Sequence, residues 1–262
     1  VLVRAGDGIQ AAQGSRGLGE VYKDSLWKNT INAGGGINTI AATTGDNSIT
    51  TGDVADTITV STGNNTIHAG GGANTITASS GNNTITAGDG ADTITTGGLT
   101  DGGNTINAGD GANTITTGAG DDTVTGGNGV DTVTTGPGND VVHGGNGANT
   151  ITTGAGNDTI YSGVDIDTII SGVGDDLITI TGGTDTISAG GVMDRLIVDY
   201  AAAKDAVTIR TLTGARRAGY TGAVSGSGVA TFAGVENFHI KSGNYGDTIT
   251  TGEGTDIVHA GE

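Results

Sequence analysis

Between residues 29 and 194 the chain carries eighteen aspartates and not one lysine or arginine. These acids stand at fixed intervals. One series, with an eighteen-residue step and a single three-residue slip, reads Asn29, Asn47, Asn65, Asn83, Asn104, then Asp122, Asp140, Asp158, Asp176 and Asp194. The interleaved series reads Asn38, Asp56, Asn74, Asp92, Asn113, Asp131, Asn149, Asp167 and Asp185. Like charges stacked at strand spacing repel one another unless a cation lies between them. A hard divalent cation takes roughly six to eight oxygens from carboxylates, carbonyls and water. Aspartate rows beside glycine loops offer that donor set, so the chemistry on offer is cation binding. The plainer reading is that Asp and Asn merely cap turns.

Other chemistries find no support. There is no HExxH, no phosphate-binding P-loop and no nucleophile elbow. His68, His143, His239 and His259 are scattered along the chain. The carboxylates recur as a lattice and not as one unequal acid–base pair, so the chain itself is read as no enzyme. The absence of Cys removes disulfides, thiol chemistry and Cys-based zinc sites. The net charge of −18 makes nucleic acid an implausible partner, since phosphate contacts need cations on the protein. No stretch approaches the apolar length of a membrane span.

What must position the acids is a repeat. Branched aliphatics fall every nine residues from Ile31 to Ile94, and again from Ile106 to Ile187, each with Asn or Asp two positions earlier. Nine residues are too few for a helix and a connection, and 53 glycines argue against helix throughout. They suit a short strand and a tight turn. In D-T-I-T, alternation sends Ile to one face and both threonines to the other. Two repeats make an eighteen-residue coil, and stacked coils make two parallel sheets with Ile and Val between them. The fold predicted is all-β, a right-handed parallel β-roll or β-solenoid, with an irregular β insertion near the C-terminus. Fixing each backbone costs about 1–2 kcal/mol per residue, whereas two buried Ile per coil return only a few kcal/mol. Something besides the core must hold the turns.

AGDGADTIT (87–95), GGNGVDTVT (126–134), TGPGNDVVH (135–143) and TGAGNDTIY (153–161) resemble the G-G-x-G-x-D-x-U-x nonapeptide of RTX calcium-binding β-rolls. The resemblance covers about residues 29–194 and returns at 244–261. It implies several Ca²⁺ ions between consecutive turns, held by loop carbonyls and by the motif aspartates Asp56, Asp92, Asp122, Asp131, Asp140, Asp158, Asp167, Asp176, Asp185, Asp194, Asp247 and Asp256. It also implies a secreted or surface-attached bacterial protein, exported unfolded by a type I route and folding in external calcium. Its role would be extender, scaffold or adhesin, or the tail of an exported enzyme whose catalytic part lies elsewhere. Asn weakens a calcium site because it brings no charge. An amide and hydroxyl ladder without metal is therefore expected before Asn104, and a file of ions after it. On the alternating second series, weaker and partly filled sites are expected.

One outward face carries Thr57/Thr59, Thr75/Thr77, Thr93/Thr95, Thr114/Thr116, Thr132/Thr134 and Thr150/Thr152. The opposite face is interrupted by Asn32, His68, Asn107, His143 and Tyr161. Regular T-x-T arrays resemble the ice-binding faces of β-solenoid antifreeze proteins, which makes ice a candidate partner beside calcium and a surface or protein ligand. Thr also simply suits exposed strands.

The organisation expected is an N-terminal cap or incoming coil over 1–28, with Tyr22 and Trp27, and the roll over 29–198. An irregular β insertion, read as a hairpin or a widened coil, covers 199–235 and carries Lys204, Arg210, Arg216 and Arg217. Resumed coils follow over 236–262.

Overall fold

In the strand Thr93–Thr96, Thr93 and Thr95 are exposed while Ile94 and Thr96 are buried, and Asp92 just before it is buried as well. That is the period-two pattern of a half-buried strand, and it recurs along the chain. The computed structural model describes residues 2–4, 20–23, 28–98, 102–191, 193–201, 208–215, 219–225, 229–244, 246–251 and 253–259. Among these residues every regular element is a β-strand. The chain separates into two units, residues 1–135 and 136–262.

In the first unit, strands that follow one another in sequence alternate between two sheets. One sheet stacks Thr39–Ala42, Thr57–Val60, Thr75–Ala78, Thr93–Thr96 and Thr114–Thr116, each parallel to the next. The other stacks Thr30–Gly34, Ser48–Thr51, Thr66–His68, Thr84–Thr86, Thr105–Asn107 and Thr123–Asn128 in the same manner. The register is in step, with Ile58 beside Ile76 and Ile76 beside Ile94. This is a parallel β-solenoid with two nonapeptides per coil. Leu2–Arg4 and Glu20–Lys23 add two further parallel strands to the first sheet, with Glu20 beside Thr39. Trp27 lies outside the described residues.

The second unit repeats the scheme. Thr150–Ala155, Thr168–Val173 and Thr186–Gly190 form one parallel stack. Val141–Asn146, Thr159–Tyr161, Leu177–Ile180, Arg195–Asp199, Asn237–Lys241 and Ile257–His259 form the other. The insertion resolves as an antiparallel meander of Thr208–Ala215, Gly219–Ser225 and Val229–Val235. Only three residues separate each of these strands from the next, whereas a parallel crossover needs roughly a dozen. Val229–Val235 returns to the solenoid by pairing parallel with Thr186–Gly190, which sets Phe232 beside Ile187. Phe232 and Phe238 meet edge to face at 5.2 Å, so aromatics replace aliphatics where the repeat is broken. Lys204, Arg216 and Arg217 lie outside the described residues.

Most coils bury more than their aliphatic. The position two residues after Ile also points inward and is small at Ala33, Ala42, Ala69, Ala78, Ala87 and Ala108, and larger at Val60 and Ile180. Elsewhere hydroxyls take this place, and buried hydroxyls mostly bond, although Thr96 Oγ1 has no partner. Thr153 Oγ1 donates to Ser171 O at 2.9 Å, and Ser171 Oγ to Ala189 O at 2.8 Å. Turns stack as closely as strands do. Gly156 has φ 140°, and a Cβ there would overlap the carbonyl oxygen of Gly138, so no other residue fits.

Candidate metal centre

The motif Asn and Asp residues face inward, 0–2% exposed in every described coil from Asn29 to Asp194. They form ladders. Asn47 donates its backbone N–H and its Nδ2 to Asn65 Oδ1, at 3.0 and 2.9 Å, and Nδ2 also to Gly45 O at 2.7 Å. Asn65 does the same to Asn83 Oδ1, at 3.1 and 2.9 Å, and to Gly63 O at 2.8 Å. Asn29 Nδ2 reaches Asn47 Oδ1 at 2.5 Å. The three-residue slip leaves the ladder whole, because Asn83 still bonds Asn104 Oδ1 across 21 residues. In this run each amide nitrogen sits between a turn carbonyl and a neighbouring Oδ1, and both acceptors are satisfied.

Aspartate cannot do this. Asp56 Oδ1 accepts from the Asn38 N–H and Nδ2, at 2.7 and 3.1 Å. Its Oδ2, which stands where Asn would carry Nδ2, has no donor and is buried. Asp92, Asp158, Asp167, Asp176, Asp185 and Asp194 each keep a buried Oδ2 without a partner in the same way. Backbone donors still satisfy the Oδ1 atoms. Asp140 N reaches Asp158 at 2.8 Å, Asp158 N reaches Asp176 at 2.9 Å, and Asp176 N reaches Asp194 at 2.8 Å. Asp122 Oδ1 accepts both Asn104 donors, at 2.6 and 2.9 Å, and Asp131 Oδ1 accepts the Asn113 N–H at 2.8 Å.

Electrostatics follow from this burial. Desolvation pushes Asp167 up to about 6, and Asp185 and Asp194 up to about 7, with neighbouring carboxylates adding repulsion and backbone N–H groups opposing both. Asp92, Asp131, Asp158 and Asp176 are raised for the same first reason. The described ion pair, Lys241–Asp199 at 2.7 Å, lies apart from the ladders. An orphaned carboxylate oxygen, in a place where amides find turn carbonyls, fits a hard cation with oxygen ligands. Among the described residues no three His, Asp or Glu side chains converge as a side-chain cluster. Any cage here therefore uses one or two carboxylates with main-chain carbonyls.

Within each unit the predicted residues thus fall mostly in internal rows. Asp247 and Asp256 differ, being only half-buried. Asp256 Oδ1 accepts the Phe238 N–H at 3.0 Å, one inward position out of step with the ladder. Hydroxyls also bond between coils before Asn104, with Thr51 Oγ1 donating to Ala69 O at 2.6 Å and Ser80 Oγ to Ser61 O at 3.3 Å. One rung escaped the sequence reading. Glu236 is 2% exposed and accepts the Asp194 N–H on Oε2 at 2.7 Å. Its signal was an acid two residues before a large inward residue, Phe238, in place of Asp before Ile.

Outside the solenoid, the threonine rows are in register. Thr57, Thr75, Thr93, Thr114 and Thr132 follow one another across paired strands, as do Thr59, Thr77, Thr95, Thr116 and Thr134. In the second unit Thr150 pairs with Thr168, but Thr152 meets Ile170, which ends the pattern. The other face is mixed, with Thr50 beside His68 and His143 stacked on Tyr161 at 4.6 Å.

Parallel coils whose turns bury a carboxylate or amide at every rung define a class, the repeat β-solenoid. The model of the RTX calcium-binding nonapeptide repeat, in four copies, matches residues 32–67, 50–85, 68–98, 99–133, 134–169 and 239–262, more than half of the chain. The chain belongs to this family. No curated protein matches it. No helix among the described residues is long and apolar enough to cross a membrane.

Proposed function

We propose that the chain is a calcium-folded segment of a secreted or surface-attached bacterial protein, where it serves as an extender, scaffold or adhesin module. One observation carries this reading. Asn rungs complete their hydrogen bonds through Nδ2, whereas Asp56, Asp92, Asp185 and Asp194 leave a buried Oδ2 without a donor. Calcium would bind beside Asp56, Asp92, Asp122, Asp131, Asp140, Asp158, Asp167, Asp176, Asp185 and Asp194, using turn carbonyls as further ligands. Asp247 and Asp256 would hold more exposed, weaker sites. Chain ordering and cation binding are then one equilibrium. The segment would stay unfolded where calcium is scarce and stiffen where it is plentiful. Catalysis, where the whole protein has any, would belong to another part of it.

A calcium titration followed by circular dichroism, with stoichiometry from calorimetry, tests the reading. The expected result is cooperative gain of β signal and several ions per chain. A full β signal in excess EGTA, unchanged by added calcium, would discard it.

A second reading is ice binding by the T-x-T face. The observation favouring it is the in-register double row of exposed threonines in the first unit. Rows about 4.7–4.9 Å apart along the stack and about 6.6 Å apart across it would present methyls and hydroxyls as a flat lattice to water.

A further inference from the structure

Glu236 stands one coil beyond Asp194 although 42 residues separate them. The register Arg195–Asn237 and Leu196–Phe238 sets Glu236 directly beside Asp194, at the place the repeat gives to Asp. The bond is the same as well. Asp194 N donates to Glu236 Oε2 at 2.7 Å, as Asp176 N donates to Asp194 Oδ1 at 2.8 Å. The strand Asn237–Lys241 reaches this position only after the meander of 208–235 has been completed.

Two oxygens are left over here. Asp194 Oδ2 and Glu236 Oε1 are buried without any hydrogen-bond donor, in residues 0% and 2% exposed. The surroundings of Oε1 are kept clear of side chains. Gly219, in the antiparallel strand, has φ 70°, and a Cβ there would lie 2.8 Å from Glu236 Oε1 and overlap the Gly234 Cα. Gly234 has φ 77°, and its own Cβ would lie 2.6 Å from Gly190 N. Gly219 thus packs against an unpartnered carboxylate oxygen, and Gly234 packs in turn on Gly190.

We infer that Asp194 and Glu236 form a divalent-cation site that fastens the inserted meander to the repeats, with ligands contributed from both sides of the insertion. It rests on the calcium reading above and extends it to a residue outside the nonapeptide motif. The ion would be hard and oxygen-seeking, held by the two carboxylates together with main-chain carbonyls and water. The consequence is conformational. The meander docks when the ion is bound, so ordering of 208–235 follows calcium and not only the aspartate file of the repeats.

The competing account is that the two carboxyls share a proton, with no ion between them. Glu236→Gln in the full chain separates the two. At pH 7.5, calorimetry of the variant with calcium alone should give one ion fewer per chain than the unaltered protein. Hydrogen exchange of 229–241 should need at least ~10-fold more calcium for protection, with 141–180 unchanged. Equal stoichiometry and equal protection would overturn the inference while leaving the calcium reading intact. Failure of the unaltered protein to bind calcium would overturn that reading first. If Glu236→Gln does not fold at saturating calcium, Asp194→Asn keeps the backbone bond to Glu236 and must show the same loss of one ion. A full complement in that variant also overturns the site.

Discussion

Asn83 donates both its backbone N–H and its Nδ2 to Asn104 Oδ1, at 3.0 and 3.1 Å, across the one step in the ladder that is 21 residues long instead of 18. The rung bonds on both sides of the slip are kept across 21 residues. From Asn29 to Asn104 this edge is held by amides, and beyond it by carboxylates. Amide rungs such as Asn47 and Asn65 thus complete their bonds within the protein, whereas Asp176 and Asp194 each keep an oxygen over.

Calcium removal should therefore act unevenly. In EGTA, amide protection is expected to fall in the strands that follow Asp158, Asp176 and Asp194, while those following Asn47, Asn65 and Asn83 hold theirs longer. Hydrogen exchange resolved by segment reads this directly. Equal loss along both units would mean that the amide ladder is no substitute for the ion.

Exchanging the two rung types should exchange the behaviour. Asn83→Asp removes the Nδ2 bonds to Gly81 O and Asn104 Oδ1 and buries an oxygen among acceptors. An unsatisfied buried group costs roughly 1–3 kcal/mol, so a lower urea midpoint is expected in EGTA, with recovery in calcium. Asp158→Asn supplies a donor where Oδ2 has none, and should gain about 1 kcal/mol without calcium while binding one ion fewer. A pair of variants indistinguishable from the parent in EGTA would refute the amide-for-cation equivalence.

The period made most of this legible. Ile94 and its counterparts gave the core, and D-T-I-T alternation placed Asp92 and Asp158 on the inner side with them. What escaped lies where the residue type changes. Glu236 is an acid of the wrong length before a Phe, beyond an interruption that destroys the count. The small inward layer of Ala69 and Ser171 sits in the stretch that reads as turn. The insertion left a hairpin and a widened coil open, and the three-residue separations between its strands decide for antiparallel pairing.

Proton linkage should run in opposite directions with and without metal. Burial raises Asp167 to about 6, and Asp185 and Asp194 to about 7, from an ordinary value of 3.8. Without calcium the folded chain then binds more protons than the unfolded one between these limits. The stability they contribute is complete below about 3.8 and is lost as pH rises through 6 to 7. Urea midpoints in EGTA should accordingly be higher at pH 5 than at pH 8. With calcium present the carboxylates must be ionised to bind it, so the midpoint should rise over the same interval. The same slope under both conditions would show that these groups do not meet the ion.

The threonine face offers the last test. Thr114 and Thr132 are adjacent, exposed members of one row, so Leu at either should change stability by no more than about 0.5 kcal/mol. Leu keeps a methyl-bearing surface but removes the hydroxyl and alters the spacing of the lattice. If the face orders water, Thr114→Leu or Thr132→Leu should abolish thermal hysteresis and ice shaping, with calcium binding and the β signal retained. Thr86→Leu on the mixed face, where Thr86 neighbours His68 and Asn107, should leave both unchanged. Ice crystals growing normally in the unaltered, calcium-loaded protein would end this reading, and the threonines would then be there for strand propensity alone.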